Sequence, residues 1–406
     1  MYEGKIIKFY REKYQLTQEK LGKGICSDTH LSKIERLQTA YADEIITLLC
    51  ERLGINMDQE LKKLTNIKNR ISLWQDVMIM QLKDEINQIH NELEQEELIQ
   101  ISEYINWYNL LRARYLLTHN KNKEAYKIIK EIRKIDYKLT PYEGNLLKHV
   151  LGIYYLVIED YSKAIETLKN IQNEIYNNPE YYYHLAIAFH KIQLPVLAYF
   201  YADKSCQYFK ENNNYLRVID AEMIMLIQAQ DDSYNSEIIK RFENLKKSCD
   251  ICSAPDRKAK VSHNLGYEYF RLGKYDLASM CFKESMLLKD KESSSYLLSL
   301  ESYIRSSFEG KLLPHKILLQ YVFEGSTLAK MKKQILFIHL FKLLSYLIKS
   351  KDDEYHQYLQ EHALPMFKNL GHSYYIQRSK KELFNYYNRT KQIDRAIIIA
   401  REFINQ

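Results

Sequence analysis

The chain has 406 residues, with 59 Lys and Arg against 52 Asp and Glu (net charge +7), and 35 Tyr but only 11 Gly and 6 Pro. Its length exceeds one ordinary core and fits a small domain plus a repeat array. So few turn residues exclude a β-rich fold of this size and favour an all-α protein of long helices joined by short polar loops. Residues 1–65 hold 11 Lys/Arg and 10 Asp/Glu, so any case for DNA binding must rest on where charges are placed rather than on their sum. The N-terminal stretch MYEGKIIKFYREKYQL lacks the apolar run of a signal peptide, and no segment approaches a membrane span. A soluble, cytoplasmic chain with no membrane partner is expected.

In chain order, Gly4 to Tyr14 sets Ile6, Ile7, Phe9 and Tyr10 at helical spacing. Thr17 is an N-cap for a short helix over Thr17–Lys23, with Gln18 and Glu19 in its first turn. Gly24 and Ile25 make a tight break, and Ser27 caps a second helix running to about Arg36, with Leu31 and Ile34 on its inner face. Asp43 to Leu53 reads as another amphipathic helix through Ile45, Ile46, Leu48, Leu49 and Leu53. Five short helices in residues 1–65 suffice for a compact domain.

Within it, Leu16-Thr17-Gln18-Glu19, Leu21, Ser27 and Leu31-Ser32-Lys33-Ile34-Glu35 resemble the lambda-repressor-like, or XRE-type, helix-turn-helix family. In that family a Gln opens the second helix beside a DNA backbone, and the following helix enters the major groove. The resemblance implies that Gln18 and Lys33 approach phosphate. It places Ser27, Asp28, Thr29 and His30 at the start of the reading helix, with Ser32 and Arg36 further along. The stretch between Leu21 and Ser27 is one residue shorter than the usual pattern. Gly22 stands where a small Ala is common, at a cost to the helix of roughly 1 kcal/mol. Asp28 is repelled by phosphate, so it either accepts from a cytosine amino group or points away.

Residues 66–100 read as one linker helix, charged and amphipathic. From 101 to 406 a two-helix unit recurs. The clearest copy holds Leu265, Gly266, Tyr269, Gly273, Tyr275, Ala278 and Phe282; a second holds Leu151, Gly152, Tyr155, Tyr161, Ala164 and Leu168; a third holds Leu185, Ala186, Phe189, Ala198 and Ala202. Gly152 to Ala186 and Ala164 to Ala198 are each 34 residues. This resembles the tetratricopeptide pattern, a small residue where two helices cross and an aromatic one turn later. Seven or eight such units would stack as a right-handed superhelix with a concave groove. The first helix of each unit would line that groove, which makes Tyr183, His184, Ile187, Arg217, His263, Asn264, Tyr267 and Arg271 the candidate peptide contacts. Asn offers a donor and an acceptor to a peptide backbone, and Arg can clasp a carboxylate.

Cys249 and Cys252 form a lone C-x-x-C without a second ligand pair, so neither metal nor cofactor is expected. No P-loop, H-E-x-x-H or G-x-S-x-G occurs, and an enzyme is not expected. A helix-turn-helix ahead of a tetratricopeptide array resembles the peptide-pheromone receptors of Gram-positive bacteria, the group of NprR, PlcR, PrgX, Rgg and Rap, with the NprR/PlcR branch nearest. That resemblance implies a homodimeric quorum-sensing transcription regulator whose binding to double-stranded DNA is controlled by a short linear signalling peptide in the groove. Asn264 matches a position that holds peptide backbone in Rap-type receptors. The alternative it implies is a Rap-like regulator that sequesters or dephosphorylates a second signalling protein.

Overall fold

The structure, a computed structural model, describes residues 2–39, 42–229 and 235–404. Every described element is helical, and the chain divides into two compact units, residues 1–228 and 229–406. No described helix is long and apolar enough to cross a membrane.

The first unit opens with α1 (Glu3–Lys13), α2 (Gln18–Gly22), α3 (Asp28–Glu35) and α4 (Asp43–Leu53). The caps fall where side-chain chemistry places them: Thr17 Oγ1 accepts from Lys20 N, and Ser27 Oγ from His30 N, both at 3.1 Å. Gly54 closes α4 at φ +68. Gly4 lets α1 press onto the end of α3, for a Cβ there would stand 2.1 Å from the Ile34 carbonyl oxygen. Arg52 of α4 donates to the carbonyls of Leu21 (2.8 Å) and Lys23 (2.6 Å), satisfying the end of α2 across the short turn.

Residues 66–100 are not one linker helix. The fifth helix, α5 (Met57–Met80), begins inside the expected head and runs through the expected boundary. Gln81 then takes a left-handed conformation (φ 65), and the chain returns as α6 (Lys83–Gln95). Trp74, fully buried, joins the two by donating its indole N–H to the Ile86 carbonyl at 3.0 Å. Amphipathic charge patterning cannot distinguish one long helix from two antiparallel ones, because both need a single apolar stripe. One hydrophobic cluster extends from Ile6 in α1 through Ile71 and Trp74 to Ala198. The head therefore shares a core with the helices that come after it in the first unit.

Helical hairpins succeed one another: α7 (Ile105–Thr118) with α8 (Asn122–Lys134), α9 (Pro141–Val157) with α10 (Tyr161–Lys169), and α11 (Glu180–Lys191) with α12 (Pro195–Glu211). The first unit ends on α13 (Tyr215–Gln228). The second holds α14 (Asn235–Ile251), then α15 (Pro255–Arg271) with α16 (Tyr275–Leu287), and α17 (Ser294–Glu309) with α18 (His315–Met331). It continues with α19 (Ile335–Ile348), α20 (Asp352–Tyr358) and α21 (Leu364–Asn369), and closes on α22 (Ser373–Arg389) with α23 (Ile393–Ile404). A π-turn over Leu359–Ala363 links α20 to α21, where Pro365 can supply no amide hydrogen to the turn before it.

The expected small residues sit at the helix crossings. A Cβ on Gly152 would lie 2.4 Å from Leu168 Cδ2, and one on Gly266 3.0 Å from the Phe282 ring. A Cβ on Gly325 of α18 would come closer still, 2.3 Å from the fully buried Phe341 ring of α19. By contrast, a Cβ on Gly22 would meet nothing nearer than 3.8 Å. Two glycine-to-alanine changes should therefore have opposite effects. Helix propensity favours Ala by about 1 kcal/mol, whereas overpacking costs about 1–3 kcal/mol. Urea unfolding should show Gly22→Ala at least as stable as the parent and Gly325→Ala less stable.

Candidate functional site

The head is organised around Glu35, whose side chain is almost wholly buried at the end of α3. Arg11 of α1 clasps it through Nε (2.5 Å) and a terminal nitrogen (2.9 Å), and also donates to the Leu16 carbonyl at 3.0 Å. Gln18 of α2 donates to the same carboxylate at 2.8 Å. One carboxylate thus joins α1, α2 and α3, and its charge-assisted bonds raise the Arg11 pKa. Gln18, proposed from sequence as a phosphate contact, is half-buried with its amide nitrogen bonded to Glu35.

The opposite face of α3 is open. Ser27, Asp28, Thr29, Lys33 and Arg36 are exposed, while His30 and Ser32 are half-buried. Asp28 folds back on its own helix, accepting from the Thr29 backbone N–H at 2.7 Å, where the positive end of the helix stabilises its charge. Lys33 and Arg36 are the cations this face presents.

The candidate peptide contacts fall in two separate settings. In the first unit, Glu180 of α11 is fully buried, and one of its oxygens accepts from Arg114 of α7 (2.8 Å) and from Arg217 of α13 (2.9 Å). Burial alone would raise the Glu180 pKa, but the two guanidinium groups outweigh it and hold the carboxyl below its ordinary range. The Arg217 guanidinium also lies 4.7 Å above the Tyr183 ring. Beside this clasp, Asn178 donates to the Tyr176 hydroxyl (3.2 Å), which lies 2.8 Å from His149 Nδ1; His149 Nε2 lies 2.9 Å from His184 Nδ1. All four side chains are buried. Desolvation pushes the His149 pKa down to about 3 and lowers that of His184 as well, so both rings are neutral. His184 and Arg217, expected as ligand contacts, are members of this internal network; Ile187 is half-buried on the same helix as His184.

In the second unit, a cleft of about 680 Å3 lies among α15, α16, α17 and α22. Tyr267 and Tyr374 form one aromatic edge, their ring centres 6.0 Å apart and the rings steeply inclined. Behind them, Arg305 Nε lies 3.3 Å from the buried carboxylate of Glu301, and Arg378 Nε lies 3.0 Å from Glu382. Each arginine also approaches the other carboxylate, at 3.8 Å and 3.7 Å. The Tyr355 hydroxyl donates to Glu382 at 2.5 Å. Burial raises the Glu301 pKa against the pull of Arg305. Lys381, Gln377 and Asn385 add polar groups to the lining, and Phe270, Tyr275 and Phe282 add apolar wall. Two aromatic faces, guanidinium donors and amide side chains suit an extended peptide, whose backbone needs donors and acceptors and whose side chains need apolar walls.

Of the sequence-derived candidates here, only Tyr267 lines the cleft. Asn264 is half-buried and makes no side-chain hydrogen bond among the described residues. Arg271 pairs with Glu268 (3.1 Å), and His263 lies 3.2 Å from Ser299 Oγ. Sequence reasoning missed Glu301, Arg305, Arg378 and Glu382. Their signal was Glu and Arg at i,i+4 on the first helices of two weak repeats. Cys249 and Cys252 form no disulfide, and no set of three metal-ligating side chains clusters among the described residues.

Fold and sites define a class: a helix-turn-helix head fused to an array of helical hairpins with a polar, aromatic cleft. No family model matches the chain. The transcriptional activator NprA of Geobacillus stearothermophilus is 22% identical over 362 residues, covering 85% of this chain and 88% of that protein. Among solved structures, the apo form of the quorum sensor NprR from B. thuringiensis aligns with a TM-score of 0.70 at 18% identity, over 84% of this chain and 98% of that one. A Rap protein complexed with competence and sporulation factor aligns at 0.64 and 17% identity, over 84% and 97%. NprR in complex with its cognate peptide NprX aligns at 0.61 and 18% identity, over 81% and 98%. The chain has the fold of these proteins.

The buried histidines set a pH dependence. Each takes up a proton near pH 6.5 once unfolded but not in the fold, so their contribution is complete above about 6.5 and declines as pH falls towards 3. His263, also held at about 3, and His90, His190 and His339 are shifted the same way by burial. Between pH 6.5 and 5, above the ordinary carboxylate range, stability should fall with a slope that steepens towards about 1.4 kcal/mol per pH unit for each fully shifted histidine. Urea midpoints across that window will measure it.

Proposed function

We propose that this chain is a cytoplasmic quorum-sensing transcription regulator, a homodimer whose binding to double-stranded DNA is controlled by a short signalling peptide held by the hairpin array. The observation that carries the reading is the head. Arg11, Gln18 and Glu35 fix α3 from behind while Thr29, Lys33 and Arg36 face outward, the disposition a major-groove helix requires. NprA is named a transcriptional activator, and NprR is a quorum sensor solved with its peptide. The second-unit cleft is the candidate peptide site, with Tyr267, Tyr374, Arg305 and Arg378 as its reading residues. The peptide can act only through a difference in affinity between two states of the protein. A regulator that binds rather than transforms its ligands needs no catalytic group, and we assign none.

The likeness to a Rap protein supports a second reading, in which the array engages another signalling protein. The exposed α3 separates the two. On DNA from the gene's own upstream region, the full chain should bind more tightly than on random DNA, with affinity falling steeply as salt rises. Lys33→Ala and Arg36→Ala should each lower the salt slope by about 1 where the side chain meets phosphate. Equal affinity for both DNAs, unaffected by either substitution, would favour the protein-binding reading. Calorimetric titration of a candidate heptapeptide against the parent and Tyr374→Ala checks the cleft; equal affinities would place the peptide elsewhere.

A further inference from the structure

The outer face of α23 is built for a partner. Ala396 and Ile399 turn inward and are buried, whereas Ile393, Ile397 and Ile398 are 55%, 45% and 58% exposed. Three large aliphatic side chains on one helix surface form a patch that water does not favour. The charges around it are ordered. Arg395 lies over the Tyr387 ring at 5.7 Å, and Glu402 pairs with Lys368 and Lys380. Asp394 and Arg401 are exposed and have no ion-pair partner among the described residues. They lie seven residues apart, about 10.5 Å along the helix at 1.5 Å per residue, on the same face as Ile397 and Ile398.

This face is its own complement. We propose that two copies of the chain pair through α23, antiparallel, about a twofold axis passing between Ile397 and Ile398. Reversing the helix about that point places Asp394 opposite the partner's Arg401 and the partner's Asp394 opposite Arg401. It also sets Ile397 against the partner's Ile398. A twofold contact requires one patch to recognise itself, and two opposite charges spaced equally about an apolar centre meet that requirement. The apolar centre supplies the attraction, while the flanking pairs reject a parallel arrangement, which would bring like charges together. This assignment rests on the homodimer reading and gives it an interface.

The test uses the full chain in sedimentation velocity over a dilution series. Asp394→Arg places two arginines against two arginines across the axis, and Arg401→Asp places carboxylates against carboxylates. Each variant alone should dissociate at least tenfold more readily than the parent, and an equimolar mixture should recover the dimer as a heterodimer. Ile398→Asp should be monomeric with an unchanged circular dichroism spectrum, which separates a lost interface from a lost fold. A dimeric parent whose charge variants are equally dimeric, alone or mixed, overturns the α23 interface and leaves the homodimer standing. A parent that is monomeric throughout overturns both, including the case in which α23 serves a different protein.

Discussion

Where α9 crosses α10, Gly152 leaves room for the Leu168 side chain, and where α18 meets α19, Gly325 lies against the face of Phe341. Most of the architecture depends on this close approach. A helical hairpin cannot bury both sides of its own apolar stripe, so its remaining surface must be covered by the next hairpin. Small residues at the crossings set how near the helices come, and large ones fill the space so defined. Ala164, Ala198, Ala202 and Ala278, all fully buried, serve the same end with one methyl group each.

The same close approach explains how much of the fold is legible in the sequence. Residues that meet within one hairpin, or one repeat length away, leave a period, and the 34-residue spacing of Gly152 and Ala186 reveals the array. Caps at Thr17 and Ser27 are local chemistry and fall where expected. Which polar side chains converge is a different matter, because it depends on folding that periodicity does not encode. Glu180 meets Arg114 from 66 residues away and Arg217 from 37. His149 and His184 are 35 apart, close to one repeat, so complementary polar residues at that offset are a signal that could have found them. The break at Gln81 carries no Gly or Pro, because a non-glycine residue adopts the left-handed conformation there. Hairpin turns at Asn120, Gln193, Lys333 and Lys391 do likewise, which is how so helical a chain manages with so few glycines.

Charge is used inside the two units for different ends. Around Glu180 two arginines share one carboxylate oxygen with every participant removed from water, an arrangement whose members cannot be deleted singly without stranding a buried charge. In the second-unit cleft, Arg305 and Arg378 are shared between Glu301 and Glu382 at distances from 3.0 to 3.8 Å, at the edge of an open volume. Looser pairs of that kind can exchange a partner for an incoming group at smaller cost. The first network ties α7, α11 and α13 together, and the second leaves its donors at the edge of the cleft.

The helix α5 begins under the head and ends against α6, with Glu60 accepting from Tyr10 of α1 at 2.8 Å and Trp74 anchoring the return. It behaves as an axle common to the head and the hairpins of the first unit. The helix is continuous from Met57 to Met80, so a rotation of those hairpins turns α3 with it. In the proposed dimer the gap between the two α3 helices would follow from the bearing of two such axles. On that proposal, operator spacing would be a mechanical property of the array, adjustable without altering any residue on the exposed face of α3.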